Sequence, residues 1–276
     1  MNDITNEQLE IQLLLEAIYI KYGYDFREYS LAHTKRRLEY RCGIEGIKNY
    51  AEMQHKVIHD ANFFEQLLLD LSINVTEMFR DPWFYKKVRE LVIPHLHTYP
   101  FLKIWHAGCS AGQEVYSMGI ILHEESLKER AQVYATDFNE SILEKAKKGI
   151  YPMDLIRQYS ANYQAANGSA SFSDYYTADY DHVIMKNVLK DKVLFTPHNL
   201  ATDGAFGEMH VIFCRNVLIY FTRELQNRVF NLFYDSLIPG GFLCLGSKES
   251  LRFADIADKF ELVSEPEKIY RKKRGR

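Results

Sequence analysis

The stretch Lys103-Ile-Trp-His-Ala-Gly-Cys-Ser-Ala-Gly-Gln-Glu-Val-Tyr-Ser-Met-Gly-Ile-Ile-Leu122 decides the fold of this 276-residue chain. It begins with an apolar run that predicts a buried strand, and it continues with apolar residues at helical spacing. Between the two, Gly108 and Gly112 predict a tight turn where backbone can approach a ligand. Strand, glycine turn and helix form the first unit of an open α/β sheet, whose ligands bind outside the carboxyl ends of the strands. The predicted fold class is α/β with a doubly wound, Rossmann-like sheet.

A second apolar run, Ala131-Gln-Val-Tyr-Ala-Thr-Asp137, ends in a carboxylate. An acid at the end of the second strand is placed to accept hydrogen bonds from both hydroxyls of a ribose. Taken singly, the glycines could form an ordinary turn, and Asp137 could be the N-cap of the helix that follows. Taken together at this spacing, they predict a cofactor that contains a nucleoside.

The glycine spacing and one acid indicate which nucleoside cofactor to expect. Gly108-x-x-x-Gly112 is not the G-x-G-x-x-G pattern that cradles a pyrophosphate. Glu114 falls in the first helical turn, where its charge would repel a phosphate but attract the amino group of a methionine moiety. The pattern therefore favours S-adenosyl-L-methionine, and it disfavours the alternative of a nicotinamide-dependent oxidoreductase.

Composition limits the remaining classes of protein. With 47% hydrophobic and 26% charged residues the chain can bury a full core. No apolar run reaches the length of a membrane span, the N-terminus lacks signal-peptide features, and the net charge of −3 does not indicate nucleic-acid binding. The four cysteines form no C-x-x-C pair, and His106 and His198, which flank the predicted binding region, have no neighbouring Cys, Asp or His at metal-ligand spacing. We expect a cytoplasmic monomer without a metal site, with no membrane insertion and no nucleic-acid partner.

The hydrophobic pattern divides the chain into domains. Residues 1–72 show helical spacing throughout, which predicts a small all-α domain. Residues 73–84 form a short polar linker that we expect to contribute to the active site, and residues 85–276 form the sheet domain. Aromatic and β-rich segments, Val193-Leu-Phe-Thr among them, predict an antiparallel β-subdomain inserted at about 160–192.

Cations are concentrated in the segment His33-Thr-Lys-Arg-Arg-Leu-Glu-Tyr-Arg41 of the helical domain. Arg37 and Arg41 are four residues apart and share a helix face, and Lys35 and Arg36 belong to the same cluster. A solvated helix surface and a docking face for an acidic partner explain this cluster equally well.

The linker carries three polar residues that are unusual for a simple connection, Asn74, Thr76 and Arg80. An arginine between two domains is placed to meet a carboxylate, with two parallel hydrogen bonds where the geometry allows. The alternative is a salt bridge with a structural role.

Five strings occur in order along the chain. They are Asn74-Val-Thr-Glu-Met-Phe-Arg-Asp-Pro82, Ala107-Gly-Cys-Ser-Ala-Gly-Gln-Glu-Val-Tyr-Ser117, Ala135-Thr-Asp-Phe-Asn139, Lys148-Gly-Ile-Tyr151 and Phe213-Cys-Arg-Asn-Val-Leu-Ile-Tyr-Phe221. Together they closely resemble the motifs of the chemotaxis receptor methyltransferases, the CheR family, over nearly the whole chain. The resemblance implies a small helical domain joined to a class I methyltransferase sheet with an inserted three-stranded β-subdomain. It also implies methylation of glutamate side chains on the cytoplasmic helical domain of a methyl-accepting chemotaxis receptor, with S-adenosylhomocysteine as product.

The resemblance also implies roles for single residues at the methionine and ribose parts of the cofactor. Asn74, Thr76 and Arg80 match the motif that meets the methionine end and the reacting centre. Glu114 matches the acid near the amino group, and Asp137 matches the acid on the ribose.

The resemblance implies further roles for residues that follow two later strands of the chain. Asn199 and Leu200 look like the family's Asn-Leu step beside the adenine. Arg215, Asn216 and Tyr220 correspond to the strand-end motif that closes over the sulfonium.

Two residues are expected to act on the reacting groups. Tyr220 is expected to orient the acceptor carboxylate, and Arg80 either does the same or anchors the cofactor's own carboxylate. Family members commonly carry an acid at Gln113 and a proline at Val115, but neither departure removes a group assigned above. A catalytically silent adaptor that binds the cofactor remains the alternative function.

Overall fold

The computed structural model of the chain describes residues 4–72 and 76–275, so the candidate Asn74 lies outside the described residues. The described chain divides into two compact units. The helical unit contains residues 4–72 and 220–226, and the sheet unit contains residues 76–219 and 227–275.

Four helices form most of the helical unit. Local sequence fixes their ends: Thr5 and Gln8 form a capping box at the first helix, Gly23 ends it in the left-handed conformation, and Asp60 caps the fourth. Apolar residues at helical spacing are buried at the centre of the unit, which confirms the predicted all-α domain. The helices are α1 (Asn6–Tyr22), α2 (Leu31–Glu45), α3 (Tyr50–His59) and α4 (Ala61–Leu71).

Residues 220–226 group with the helices, although the sequence assigned them to the sheet domain at 85–276. The backbone N–H of Ser30 donates to the carbonyl of Tyr220 at 2.7 Å, and the N–H of Thr222 donates to the carbonyl of Glu28 at 2.9 Å. These bonds join two irregular segments, neither of which shows a strand pattern. The periodicity of the sequence therefore could not predict that residues 220–226 belong to the helical unit.

The sheet unit contains a seven-stranded sheet, which confirms the predicted Rossmann-like fold. Its strands, in the order in which they lie side by side, are β6 (Val193–Pro197), β2 (Ala131–Asp137), β1 (Leu102–Ala107), β7 (Met209–Cys214), β8 (Leu237–Leu245), β10 (Ile269–Lys272) and β9 (Phe260–Ser264). The first five run parallel, and β10 is antiparallel to both of its neighbours. The central strands are buried along almost their whole length, as a sheet covered on both faces requires.

Helices connect these strands. They are α5 (Pro82–Lys87), which continues through a π-helical turn (Val88–Val92) into α6 (Ile93–Leu96), then α7 (Gln113–Glu124), α8 (Glu140–Lys148), α9 (Ile156–Ala165), α10 (Asn187–Lys190) and α11 (Arg223–Ser236). None of the helices in the described parts of the chain combines the length and the apolar character needed to cross a membrane.

Strand β1 marks the point where a ligand is expected. From β1 the chain moves to β2 on one side of the sheet, and it later returns to β7 on the other side. Ligands of open α/β sheets bind in the crevice at such a switch point, outside the carboxyl ends of the strands. The quoted glycine turn lies at this position.

A separate three-stranded antiparallel sheet confirms the predicted β-subdomain but corrects its membership. It consists of β3 (Ile150–Pro152), β5 (His182–Met185) and β4 (Tyr176–Asp179), in that order. The first strand precedes the predicted insertion at about 160–192. Val193-Leu-Phe-Thr, predicted to join this ribbon, instead pairs in parallel with β2 as part of the main sheet. A short β-rich run shows that a strand forms, but it does not show which sheet the strand joins.

Candidate active site

The turn after β1 requires glycine. Gly108 and Gly112 have φ of 75° and 89°, in the left-handed region. The N–H groups of Gly108 and Cys109 both donate to the carbonyl of Thr136 at 2.8 Å, which ties the turn to β2. A Cβ at Gly108 would lie 2.6 Å from Cγ2 of Val217. The turn therefore packs directly against the segment that follows β7.

Asp137 is held by backbone groups at the end of β2. Its side chain accepts hydrogen bonds from the N–H of Ser110 at 2.9 Å and of Asn139 at 3.1 Å, and the residue is 7% exposed. Burial raises the pKa of Asp137, although these donors oppose the shift. Asn139, not Asp137, is the N-cap of α8, which excludes the ordinary capping role for Asp137. A carboxylate has about four acceptor sites, so Asp137 keeps capacity for a ribose hydroxyl.

Glu114, at the start of α7, has two protein partners. One carboxylate oxygen lies 2.9 Å from Nδ1 of His106, and the other lies 3.5 Å from Nη1 of Arg215. Burial by itself would raise the pKa of Glu114, but the hydrogen bond with His106 and the charge of Arg215 outweigh burial, and the pKa is lowered. The acid therefore stays ionised at neutral pH, as a partner for an ammonium group must be.

Arg215 joins three segments of the sheet unit. Its side chain is 2% exposed, and Nη2 donates to the carboxylate of Asp81 at 2.8 Å. Nη1 lies 3.4 Å from the carbonyl of Arg80, and the guanidinium stacks 3.9 Å from the ring centre of Phe84. Nε is buried without a hydrogen-bond partner among the described residues. The guanidinium therefore holds Glu114 and the Arg80 segment together.

Arg80 lies on a strained turn. The residues on either side, Phe79 and Asp81, have φ of 52° and 57°. The N–H of Phe79 donates to Oγ of Ser117 at 2.8 Å, and Asn162 donates to the carbonyl of Met78 at 3.0 Å. Non-glycine residues at such φ persist only where the surroundings over-determine them, and such strain is concentrated at functional sites.

The other predicted cofactor residues of the sheet unit lie at the same edge of the sheet. Asn199 and Leu200 follow β6, and Asn216 follows β7, while Asp137 ends β2. Carboxyl ends of parallel strands meet at one edge, so these residues share the edge with the glycine turn. Asn199 Oδ1 accepts the N–H of Ala201 at 3.0 Å. Thr76 is half-buried in the irregular segment before α5.

Tyr220 lies in a cleft of the helical unit. Its ring stands edge-on to His33 with ring centres 5.2 Å apart. Nε of Arg37, a residue that lines this cleft, is buried without a hydrogen-bond partner among the described residues. Its lining residues are Phe26, Tyr29, His33, Thr34, Arg37, Leu71 and Tyr220. The cleft therefore combines apolar walls with a cation and a phenol.

The predicted docking cations differ in their availability. Arg36 is exposed, and Lys35 pairs with Glu7 at 2.7 Å. Arg41, in contrast, is 7% exposed, and its guanidinium lies 2.6 Å from the carboxylate of Asp70. Helical spacing put Arg41 on the face of Arg37, but it could not show that α4 covers that position.

A parallel sheet with a glycine turn after β1 and a buried acid at the end of β2 defines a nucleoside-binding α/β domain. Comparison with known families makes the assignment specific. The family model of the CheR methyltransferase SAM-binding domain matches residues 74–269, and that of the CheR all-alpha domain matches residues 9–72. The chain belongs to the CheR methyltransferase family, and its cofactor is S-adenosyl-L-methionine.

Individual relatives agree with the family. A Pseudomonas putida protein named "Putative methyltransferase Cher3" is 49% identical over 272 residues, 99% of this chain and 100% of its own. "Chemotaxis protein methyltransferase 1" of Pseudomonas aeruginosa is 30% identical over 83% of this chain and 85% of its own. "Chemotaxis protein methyltransferase" of Vibrio anguillarum is 36% identical over 70% of both chains. Among solved structures, the glycopeptide N-methyltransferase MtfA with bound S-adenosyl-L-methionine is similar to this chain with a TM-score of 0.33 and 10% identity. The match covers 56% of this chain and 48% of its own, and no conclusion is drawn from so distant a similarity.

Proposed function

We propose that this protein transfers a methyl group from S-adenosyl-L-methionine to glutamate carboxylates on the cytoplasmic helical domain of a chemotaxis receptor. The observation that carries the proposal is the buried Arg215, which links the acid assigned to the cofactor's amino group, Glu114, to the strained turn that carries Arg80. Two of the relatives described above are named chemotaxis protein methyltransferases, which supports the receptor as the acceptor.

The chemistry needs placement more than acid–base help. A sulfonium is a good methyl donor, and a glutamate carboxylate is ionised at pH 7 without assistance. Holding oxygen, methyl carbon and sulfur in line can contribute about 7–11 kcal/mol. Because opposite charges disappear as the methyl group moves, a site that excludes water favours the reaction. A group that bound the free carboxylate too tightly would slow it.

The proposed roles of single residues are those that the resemblance to the family implies. Asp137 accepts hydrogen bonds from the ribose hydroxyls, and Glu114 pairs with the amino group. Arg80 anchors the carboxylate of the methionine moiety. Tyr220 orients the acceptor carboxylate through its hydroxyl, which is a lighter contact than a second cation would make.

Methyl transfer from labelled cofactor onto receptor cytoplasmic fragments from the same cell tests the function. Base-labile label that is released as methanol is expected, because a glutamate methyl ester hydrolyses readily. A protein that binds S-adenosylhomocysteine but labels no receptor would be the silent adaptor. Binding of NAD in place of S-adenosylhomocysteine would overturn the cofactor assignment of the site.

Replacing Asp137 with asparagine is expected to weaken the binding of S-adenosylhomocysteine by about 10- to 100-fold, since hydrogen bonds to a charged group contribute about 1.5–3 kcal/mol. Calorimetric titration measures the effect. The 2′-deoxy analogue of the ligand is the control, because it already lacks one of the hydroxyls. If the substitution weakens the binding of both ligands equally, Asp137 does not bind the 2′-hydroxyl.

Reversing the charge of Arg36 and Arg37 to glutamate is expected to raise the KM for the receptor fragment about tenfold at low salt, because complementary charges steer association. The difference should shrink as salt rises, since exposed charges are screened over about 10 Å at 0.1 M. Lys21 and Lys48, two exposed cations of the helical unit, provide a matched control when both are changed to glutamate. Equal effects of the two pairs would argue against a specific docking face.

A further inference from the structure

Glu249 is a buried acid to which no function has been assigned. It lies four residues beyond the end of β8 and is 4% exposed. One of its carboxylate oxygens accepts the N–H groups of Val217 and Leu218, each at 2.8 Å. The other accepts the N–H of Asn216 at 3.0 Å and of Gly246 at 2.6 Å. Four backbone donors therefore converge on one side chain.

These bonds fix the segment that follows β7. Strands β7 and β8 are parallel neighbours, with Cys214 opposite Leu245, so the two loops that Glu249 ties together leave the sheet at the same edge. Asn216 has φ of 62°, which a non-glycine residue holds only when its surroundings enforce it. The convergent N–H groups supply that enforcement, because turning any one of them away would leave a buried donor or acceptor unsatisfied.

The fixed segment is in contact with the cofactor turn. Val217 packs so closely on Gly108 that a Cβ there would lie 2.6 Å from its Cγ2. Gly246 is similarly confined, because a Cβ would lie 2.8 Å from both the backbone nitrogen of Asn216 and a carboxylate oxygen of Glu249. A displacement of this segment would therefore reach the glycine turn.

We propose that Glu249 is a positioning residue of the cofactor site. Its carboxylate holds the backbone of 216–218, and through that backbone it sets the side chains of Arg215 and Asn216 and the packing of Val217 on the glycine turn. The proposal rests on the proposed assignment of Arg215 and Asn216 to the cofactor.

Replacing Glu249 with glutamine is the direct test, because the amide NH2 would face two of the four N–H donors. We expect the Kd for S-adenosylhomocysteine to rise at least tenfold in calorimetric titration. Glu124 provides a matched control: it is a buried carboxylate at the other end of α7, about 15 Å along the helix from Glu114, and it accepts hydrogen bonds from Tyr163, Tyr175 and Ser169. Glu124→Gln should lower the melting temperature comparably and leave the Kd unchanged.

A double-mutant cycle separates positioning from general destabilisation. If Glu249 acts through Asn216, the effects of Glu249→Gln and Asn216→Ala on the Kd should be strongly non-additive, whereas the effects of Glu249→Gln and Glu124→Gln should add. Should Glu249→Gln fail to fold, Gly246→Ala disturbs the same contact without removing a charge, and the same cycle applies. A Kd within twofold of the unmodified protein, or an additive cycle with Asn216→Ala, overturns the proposal.

The outcome also distinguishes this inference from the proposed site itself. If Asp137→Asn and Asn216→Ala weaken cofactor binding but Glu249→Gln does not, only the positioning role is wrong. If none of the three weakens binding, the assignment of the site is wrong and the positioning role falls with it.

Discussion

Replacing Arg215 with methionine is expected to lower the free energy of unfolding by about 3–5 kcal/mol, the range for removing one partner of a buried ion pair. Methionine keeps the apolar contact with Phe84 but leaves Asp81 and Glu114 without their cation. The Arg80 turn also loses the hydrogen bond to its carbonyl. Denaturant unfolding measures the stability, and the Kd for S-adenosylhomocysteine is expected to rise in the same variant.

The pH dependence shows whether charge is the cause. The folded-state pKa of Glu114 lies below its ordinary value of 4.5, so the stabilisation is fully present above that value and is lost as the pH falls through the lowered pKa. Without Arg215, burial acts on Glu114 against the bond with His106 alone, and protonation becomes easier. The difference in stability between the unmodified protein and Arg215→Met should therefore be largest at neutral pH and smaller below about pH 4.5.

Neutralising the two acids gives a second check. The triple variant Arg215→Met, Asp81→Asn, Glu114→Gln removes the whole ionic cluster, and buried ion pairs can often be replaced by neutral groups at little cost. It is expected to recover most of the stability lost in Arg215→Met. If the triple variant is no more stable than Arg215→Met, the loss of packing, and not the two unpaired carboxylates, explains the lower free energy of unfolding.

The central turn of the sheet could be predicted because its residues are determined locally. Gly108 must adopt a left-handed φ, and Asp137 ends a strand whose apolar run is visible in the sequence. Helical and strand periodicity likewise gave the all-α domain and the parallel sheet. Asp137 is a polar residue that the strand pattern does not need, which is why it indicated a ligand.

What the sequence missed depends on contacts between distant segments. Arg41 looks like an exposed cation until Asp70 of α4 is seen beside it, and Glu249 looks like a solvated loop acid until four N–H groups are seen to converge on it. Asp81 stood within a quoted motif, yet its partner Arg215 lies more than a hundred residues away along the chain. Charge patterns along one element do not show which charges another element will neutralise.

Of the two roles that the sequence left open for Arg80, we propose that it anchors the cofactor's carboxylate. The amino and carboxylate groups of the cofactor's methionine moiety are bonded to the same carbon atom, so the residue that binds the carboxylate must lie near the residue that binds the amino group. Nη1 of Arg215 contacts both Glu114, at 3.5 Å, and the carbonyl of Arg80, at 3.4 Å. The backbone of Arg80 is therefore close to the acid proposed to bind the amino group, and this proximity supports the proposal.

Replacing Arg80 with alanine is accordingly expected to raise the Kd for S-adenosylhomocysteine by about 10- to 100-fold, the loss for a charge-assisted hydrogen bond of about 1.5–3 kcal/mol. Binding of 5′-methylthioadenosine should not change, because that ligand has the nucleoside and the sulfur but no amino-acid group. Arg80→Lys should recover part of the affinity, since lysine keeps the charge but not the two parallel donors. Arg252→Ala removes an exposed arginine of the same unit and serves as the control.

A fall in the rate of methyl transfer with unchanged affinity for both ligands would instead assign Arg80 to the acceptor carboxylate. A residue that binds only the acceptor has no contact with S-adenosylhomocysteine to lose.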